Sequence, residues 1–189
     1  MATDQTFTPS SELAEAVLRE NGQNVNLCYQ CGKCAAGCPV SYAMDYKPAQ
    51  LMHAIRLGLD DLVFNSKTAW LCASCETCTT RCPQEVEVAE VMDAVKIIAR
   101  RRRIKPAVPD VAAFHNAAMM NIKYLGRMYE LGMIVDLKRR TFKFMKDAGL
   151  GMKMFKKGKL KMIPSITGAR TTWRIFRRVK KIEKASQNT

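Results

Sequence analysis

The eight cysteines of this 189-residue chain fall into two copies of one spacing. They are Cys28-x2-Cys31-x2-Cys34-x3-Cys38-Pro39 and Cys72-x2-Cys75-x2-Cys78-x3-Cys82-Pro83. No other feature restricts the fold as much, because the chain must bring these side chains around whatever they hold. Structural zinc pairs two Cys-x-x-Cys units around one tetrahedral ion, which leaves the third and fourth cysteines of each run without a use. Disulfides need an oxidising compartment, and the opening residues MATDQTFTPSSELAEAV have no basic start, apolar core or cleavage site. The runs point instead to two 4Fe-4S clusters in a cytoplasmic protein.

Each run resembles that of two-cluster bacterial ferredoxins, and the resemblance implies crossed ligation. Three closely spaced thiolates wrap one cubane, while the fourth cysteine, held on a turn by its proline, serves the other. Cys28, Cys31, Cys34 and Cys82 are thereby assigned to cluster 1, and Cys72, Cys75, Cys78 and Cys38 to cluster 2.

A chain of this length forms one or two small domains, and cluster loading is expected to supply stability that a modest core cannot. No stretch reaches the roughly 18 uninterrupted apolar residues of a spanning helix, so a soluble protein is expected. The net charge of +14 conceals a division. Residues 1–95 hold 6 Lys and Arg against 12 Asp and Glu, a net −6, whereas residues 96–189 hold 25 against 5, a net +20. The cysteines lie in the acidic half, so the basic half faces something else.

Helical periodicity runs through most of the chain, which gives a mostly α fold. Ser10 or Ser11 suits the N-cap of a helix carrying Leu13 and Val17 and stopped by Gly22. Pro48 opens a second helix through Leu51, Met52 and Ile55 to Gly58. Asn65 or Ser66 caps a short turn leading through Trp70 into Cys72. Val88, Val91, Met92, Val95 and Ile98 define a longer helix reaching Arg100–Arg103. Pro106 and Pro109 then mark a boundary, dividing a cluster module of residues 1–105 from a basic, Met-rich helical extension of residues 106–189. In that extension, helices are expected from Asp110 to near Gly132, from about Asp136 to Ala148, and from Arg170 to Lys184. A Lys-rich segment, 151–161, precedes Pro164.

With the doubled run on a helical frame, the chain resembles the small iron-sulfur C subunit of heterodisulfide reductase, within the α-helical ferredoxins. The resemblance rests on Cys28-Tyr29-Gln30-Cys31-Gly32-Lys33-Cys34, on Trp70-Leu71-Cys72-Ala73-Ser74-Cys75-Glu76-Thr77-Cys78, and on the size with a basic tail. Succinate dehydrogenase-type and glycolate oxidase-type subunits share the motifs but carry further cysteines that are absent here. The resemblance implies an electron-transfer subunit of an oxidoreductase, passing electrons from a flavin-bearing subunit to the catalytic iron-sulfur subunit that cleaves the disulfide. In methanogens that disulfide joins coenzyme M and coenzyme B. The alternatives are the iron-sulfur subunit of another dehydrogenase or quinone-linked complex, or a free ferredoxin-like carrier.

Lys33 and Arg81 flank ligands of cluster 1 and Glu76 lies within the cluster 2 run, so cluster 1 is expected to be the more easily reduced. The opposing reading sends all three into solvent. His53 and His115 read as surface or partly packed residues, because every ligand position already has a cysteine. No Gly-rich phosphate loop and no nucleophile–base pair stand out, so no catalytic site is expected on this chain. Eight of the twelve methionines lie between Met119 and Met162, suiting either a core or an adaptable interface. The basic tail is read as a partner-docking surface. Nucleic acid is the weaker reading, because no binding motif accompanies Arg100–Arg103. Trp173, Ile175, Phe176 and Val179 with their basic neighbours also suit contact with a membrane surface.

Overall fold

The cysteine-bearing half is built from helices whose apolar faces recur at 3.6-residue spacing, and a computed structural model shows how they pack. It describes residues 12–141, 149, 153–154, 156–157 and 168–186. Among these residues the fold is helical, with no strand. The chain divides into two compact units, Met1–Pro109 and Asp110–Thr189.

In the first unit, α1 (Glu12–Asn21) buries Leu13, Ala14 and Val17 and stops at Gly22, whose φ of 78° glycine adopts without strain. The N-caps expected at Ser10 and Ser11 lie outside the described residues. A short α2 (Lys33–Ala36) carries Cys34, and α3 (Pro48–Arg56) buries Leu51, Met52, Ala54 and Ile55. Pro48 occupies the first turn, and the Gln50 side chain accepts from the Lys47 backbone N–H at 2.8 Å. Next come α4 (Asp60–Asn65), which hydrophobic periodicity alone does not separate, α5 (Thr68–Leu71) and α6 (Thr77–Thr80), which carries Cys78. The longest helix of the unit is α7 (Val88–Arg101). It buries Val88, Ala89, Val91, Met92, Ala94, Val95, Ile98 and Ala99, and α1 and α5 pack on it.

The arginine run that closes α7 is engaged inside the unit. Arg101 pairs with Glu20 of α1; Arg102 reaches Glu12 and Asp60 at 3.3 Å each and lies 5.5 Å over the Phe64 ring. Two of the four basic residues that suggested nucleic acid therefore tie α7 to α1 and α4.

In the second unit, α8 (Pro109–Leu125) buries Ala112, Ala117 and Asn121, whose amide donates to the Ala117 carbonyl at 3.0 Å. The helix expected to continue to Gly132 ends at Gly126. That residue has φ 79°, and a Cβ there would lie 2.5 Å from the Ala169 nitrogen. A left-handed turn and a backbone crossing both demand glycine at 126, and Gly132 lies inside α9 (Glu130–Thr141). The last helix, α10, spans Ala169–Ser186. The Lys-rich segment 151–161 and Pro164 lie for the most part outside the described residues.

Candidate cluster site

The two cysteine runs face each other across the packed pair α2 and α6. Their loops share a backbone pattern at the 44-residue offset: Gln30 and Ser74 have φ of 64° and 48°, and Gly32 and Glu76 have φ of 76° and 59°. Left-handed residues in tight loops gather neighbouring N–H groups into a concavity that suits an anionic centre, iron-sulfur clusters included. The donor set fits the same group, since all eight thiols are free. Among the described residues they do not converge on a position for a single ion. A cubane spreads its thiolates over four corners and needs no such convergence.

A largely enclosed, apolar pocket brings Cys38 together with Cys72, Cys75 and Cys78, walled by Met44, Pro48, Val88, Ala89 and Met92. On the other side, Cys34 lies among Cys28, Cys31 and Cys78, and Tyr29 lies where both Cys31 and Cys82 act on its phenol. The fourth cysteine of the first run, Cys38, thus lies beside the second run. Burial pushes the Cys34 thiol up to about 11, and burial likewise raises Cys72 and Cys78. Hydrogen bonds from Thr77 lower Cys75. Metal loading must therefore displace tightly held protons from the buried thiols.

Several residues other than the cysteines position these loops, and no sequence signal marked their contacts. Arg56, in the last turn of α3, donates to the Cys28 carbonyl at 2.6 Å. The Gln30 amide donates to the Cys28 sulfur at 3.3 Å, a contact of the kind that tunes a cluster. Ser74 donates to Asp93 of α7, at 3.3 Å to either carboxylate oxygen. Asp45 anchors α5, whose C-terminal cap is Cys72: it accepts from the Lys67 N–H at 2.8 Å, the Ser66 hydroxyl at 2.7 Å and the Thr68 hydroxyl at 2.9 Å. These positions follow no period, and only Gly32 stands out in sequence as a site for a left-handed backbone.

Burial raises Asp45, but donors from Lys67, Ser66, Thr68 and Tyr46 outweigh it and hold the carboxyl at about 2. A depressed native value adds stability that is complete above the unfolded value of about 3.9 and is lost as pH falls through about 2. Asp45 is exposed, so solvent screens part of this effect. Asp45→Asn is expected to cost about 1 kcal/mol at neutral pH. In the parent protein the Asp45 carboxyl resonance should titrate near 2; a midpoint near the ordinary carboxylate value contradicts this arrangement.

Glu76 occupies the position that Gly32 fills in the first loop and pays for a left-handed backbone. Its charge acts on Glu90, whose carboxyl is raised by Glu87 most of all, then by burial, Glu76 and Asp93. Glu76→Gly is expected to stabilise the module by about 0.5–1 kcal/mol in denaturation and to raise the potential of the centre held by the second run. An unchanged potential sends the carboxylate into solvent.

Lys33 and Glu76 are exposed. Arg81, also exposed at its tip, folds back over Gly37, where a Cβ would lie 2.7 Å from its guanidinium nitrogen. Its guanidinium therefore lies beside Gly37, the residue before Cys38 in the first run. His53 is exposed and His115 is half-buried against Phe114, with ring centroids 6.1 Å apart.

Residues 24–86 match the family model described as a 4Fe-4S dicluster domain. The chain is 37% identical over 93 residues to the iron-sulfur C subunit of the CoB-CoM heterodisulfide reductase of Methanopyrus kandleri, covering 49% of this chain and 48% of that protein. It is 35% identical over 92 residues to the C 2 iron-sulfur subunit of the same enzyme from Methanocaldococcus jannaschii, covering 48% and 49%. It is 26% identical over 141 residues to the C subunit of the H(2):CoB-CoM heterodisulfide,ferredoxin reductase of Methanothermobacter marburgensis, covering 74% and 69%. The alignment spans about half the length of the first two. The resemblance read from the cysteine motifs is thus to proteins that are themselves iron-sulfur subunits of heterodisulfide reductases.

Proposed function

We propose that this chain is the electron-transfer subunit of a heterodisulfide reductase-like complex, relaying electrons through two 4Fe-4S clusters from a flavin-bearing subunit to a disulfide-reducing subunit. The observation that carries the reading is the enclosed pocket in which Cys38 of the first run meets Cys72, Cys75 and Cys78 of the second. When bound, each cluster supplies reversible one-electron storage. The protein's part is to hold and tune it. Cys28, Cys31, Cys34 and Cys82 form one ligand set, and Cys72, Cys75, Cys78 and Cys38 the other. The Gln30 amide donates to the Cys28 sulfur and the Cys75 thiol pairs with the Thr77 hydroxyl, while Arg56, Asp45 and Asp93 fix the loops.

Cys34 on α2 and Cys78 on α6 sit on helices packed against each other, so the two ligand sets are neighbours. Adjacent centres suit stepwise one-electron transfer, and cleavage of a disulfide to two thiols consumes two electrons and two protons on the receiving subunit. Residues 106–189, with their excess of Lys and Arg, dock the flavin-bearing subunit and the catalytic, disulfide-reducing iron-sulfur subunit. The substrate is then the coenzyme M–coenzyme B disulfide in a methanogen.

Assembly of the purified subunits with and without this chain tests the proposal. Omission should abolish electron flow from the flavin-bearing to the disulfide-reducing subunit, and the intact chain should co-purify with both. Equal flow without the chain overturns the relay. Flow that requires the chain without stable association identifies a diffusing carrier instead.

A further inference from the structure

The helix α10 (Ala169–Ser186) carries more than a docking charge. At about 3.6 residues per turn, Trp173, Ile175, Phe176, Val179 and Ile182 share one half of its circumference. The opposite half holds Arg170, Arg174, Arg177, Arg178 and Lys181, while Lys180, beside Trp173, and Glu183, between Phe176 and Val179, interrupt the apolar half toward its C-terminal end. The apolar half is not used up within its own unit. Trp173 is 46% exposed, Ile175 54%, Val179 46% and Ile182 68%. Trp173, Phe176 and Val179, with Arg177, Lys180 and Glu183, line an open groove beside Lys123 of α8. Arg177 folds over the Trp173 ring at 5.2 Å, leaving an aromatic side chain with a cation on its face.

We propose that α10 is an interfacial helix that seats this chain on an anionic phospholipid surface, its apolar half sunk to the level of the acyl chains and its basic half against the headgroup phosphates. Three features select lipid over an acidic protein groove. The helix is strongly amphipathic yet low in mean hydropathy, the pattern of helices that lie in the bilayer plane. Basic residues occupy almost the whole polar half and reach its borders, where a planar anionic surface engages them from both sides of the helix. Tryptophan, the residue favoured at the headgroup boundary, occupies the first turns. No helix among the described residues is long and apolar enough to cross a membrane. This attachment is therefore peripheral, and it stands independently of the electron relay.

The full, cluster-loaded chain is mixed with vesicles of phosphatidylcholine alone or with about 30% phosphatidylglycerol, at about 0.1 M salt. Binding to the anionic vesicles only is expected. Brominated acyl chains should quench Trp173, a signal absent from Trp173→Phe; the other tryptophan, Trp70, is buried in the first unit. Val179→Glu should weaken partitioning at least tenfold, and Arg174→Gln with Arg178→Gln about 30-fold, roughly fivefold per charge removed. The quenching measurement needs no folded variant. Absence of vesicle binding overturns the proposal, as does binding without quenching, which is electrostatic adhesion alone. Capture of this face by an acidic protein partner, with no affinity for vesicles, assigns it to that partner instead.

Discussion

Cys82→Ser is expected to cost the centre wrapped by the first run, and Cys38→Ser the centre wrapped by the second. Each variant should retain about half the iron and lose the paramagnetic signal of the run in which the substitution does not lie. The effect is large because a cubane deprived of a thiolate ligand is exposed to water, and because loading and folding are coupled in a module with a core this small. The expectation follows from the pocket that joins Cys38 to Cys72, Cys75 and Cys78, and from the packing of α2 against α6, which sets the two runs face to face. Loss of the signal from the mutated run itself points to uncrossed ligation.

Met92→Ala is expected to damage both the packing of α7 and the wall of the site. Met92 is 2% exposed on α7 and lines the pocket that holds Cys38 and Cys72, so its side chain serves both the helix packing and the wall of the site. Truncation should destabilise the module by about 2–5 kcal/mol, the range for a buried large-to-small change. It should also admit water beside the second centre. Solvent favours the more negative reduced state, so the potential of that centre should rise while the other changes little. Denaturation followed at the cluster absorption, with a redox titration, measures both. A stability loss with no change in potential makes Met92 a packing residue alone.

The cysteines and the apolar faces were legible in the sequence for different reasons. The doubled run is a covalent statement of what must converge, and residues such as Leu51, Met52, Val91 and Val95 repeat at a period that only a helix satisfies. The eight thiols and α1, α3 and α7 were visible on that basis. Asp45, Arg56 and Asp93 were not, because each acts across a long stretch of chain. Asp45 caps a helix that starts 23 residues later, at Thr68, and Arg56 reaches back 28 residues to the Cys28 carbonyl. Single polar residues with distant backbone partners leave no local pattern. The misplaced end of α8 has a related cause: Gly126 and Gly132 look alike in sequence, and only the approach of the Gly168–Ala169 backbone marks the first as the stop. Arg101 and Arg102 read as free basic charge until their partners on α1 and α4 are seen.

The most direct test of the electron-relay proposal is an anaerobic redox titration of the full chain followed by electron paramagnetic resonance, together with iron and acid-labile sulfide analysis. About eight irons and eight sulfides per chain are predicted, with two reversible one-electron transitions between about −700 and +450 mV and signals broadened by coupling between neighbouring centres. A chain that binds zinc, or that holds iron without any reversible transition, contradicts the proposal that it carries electrons.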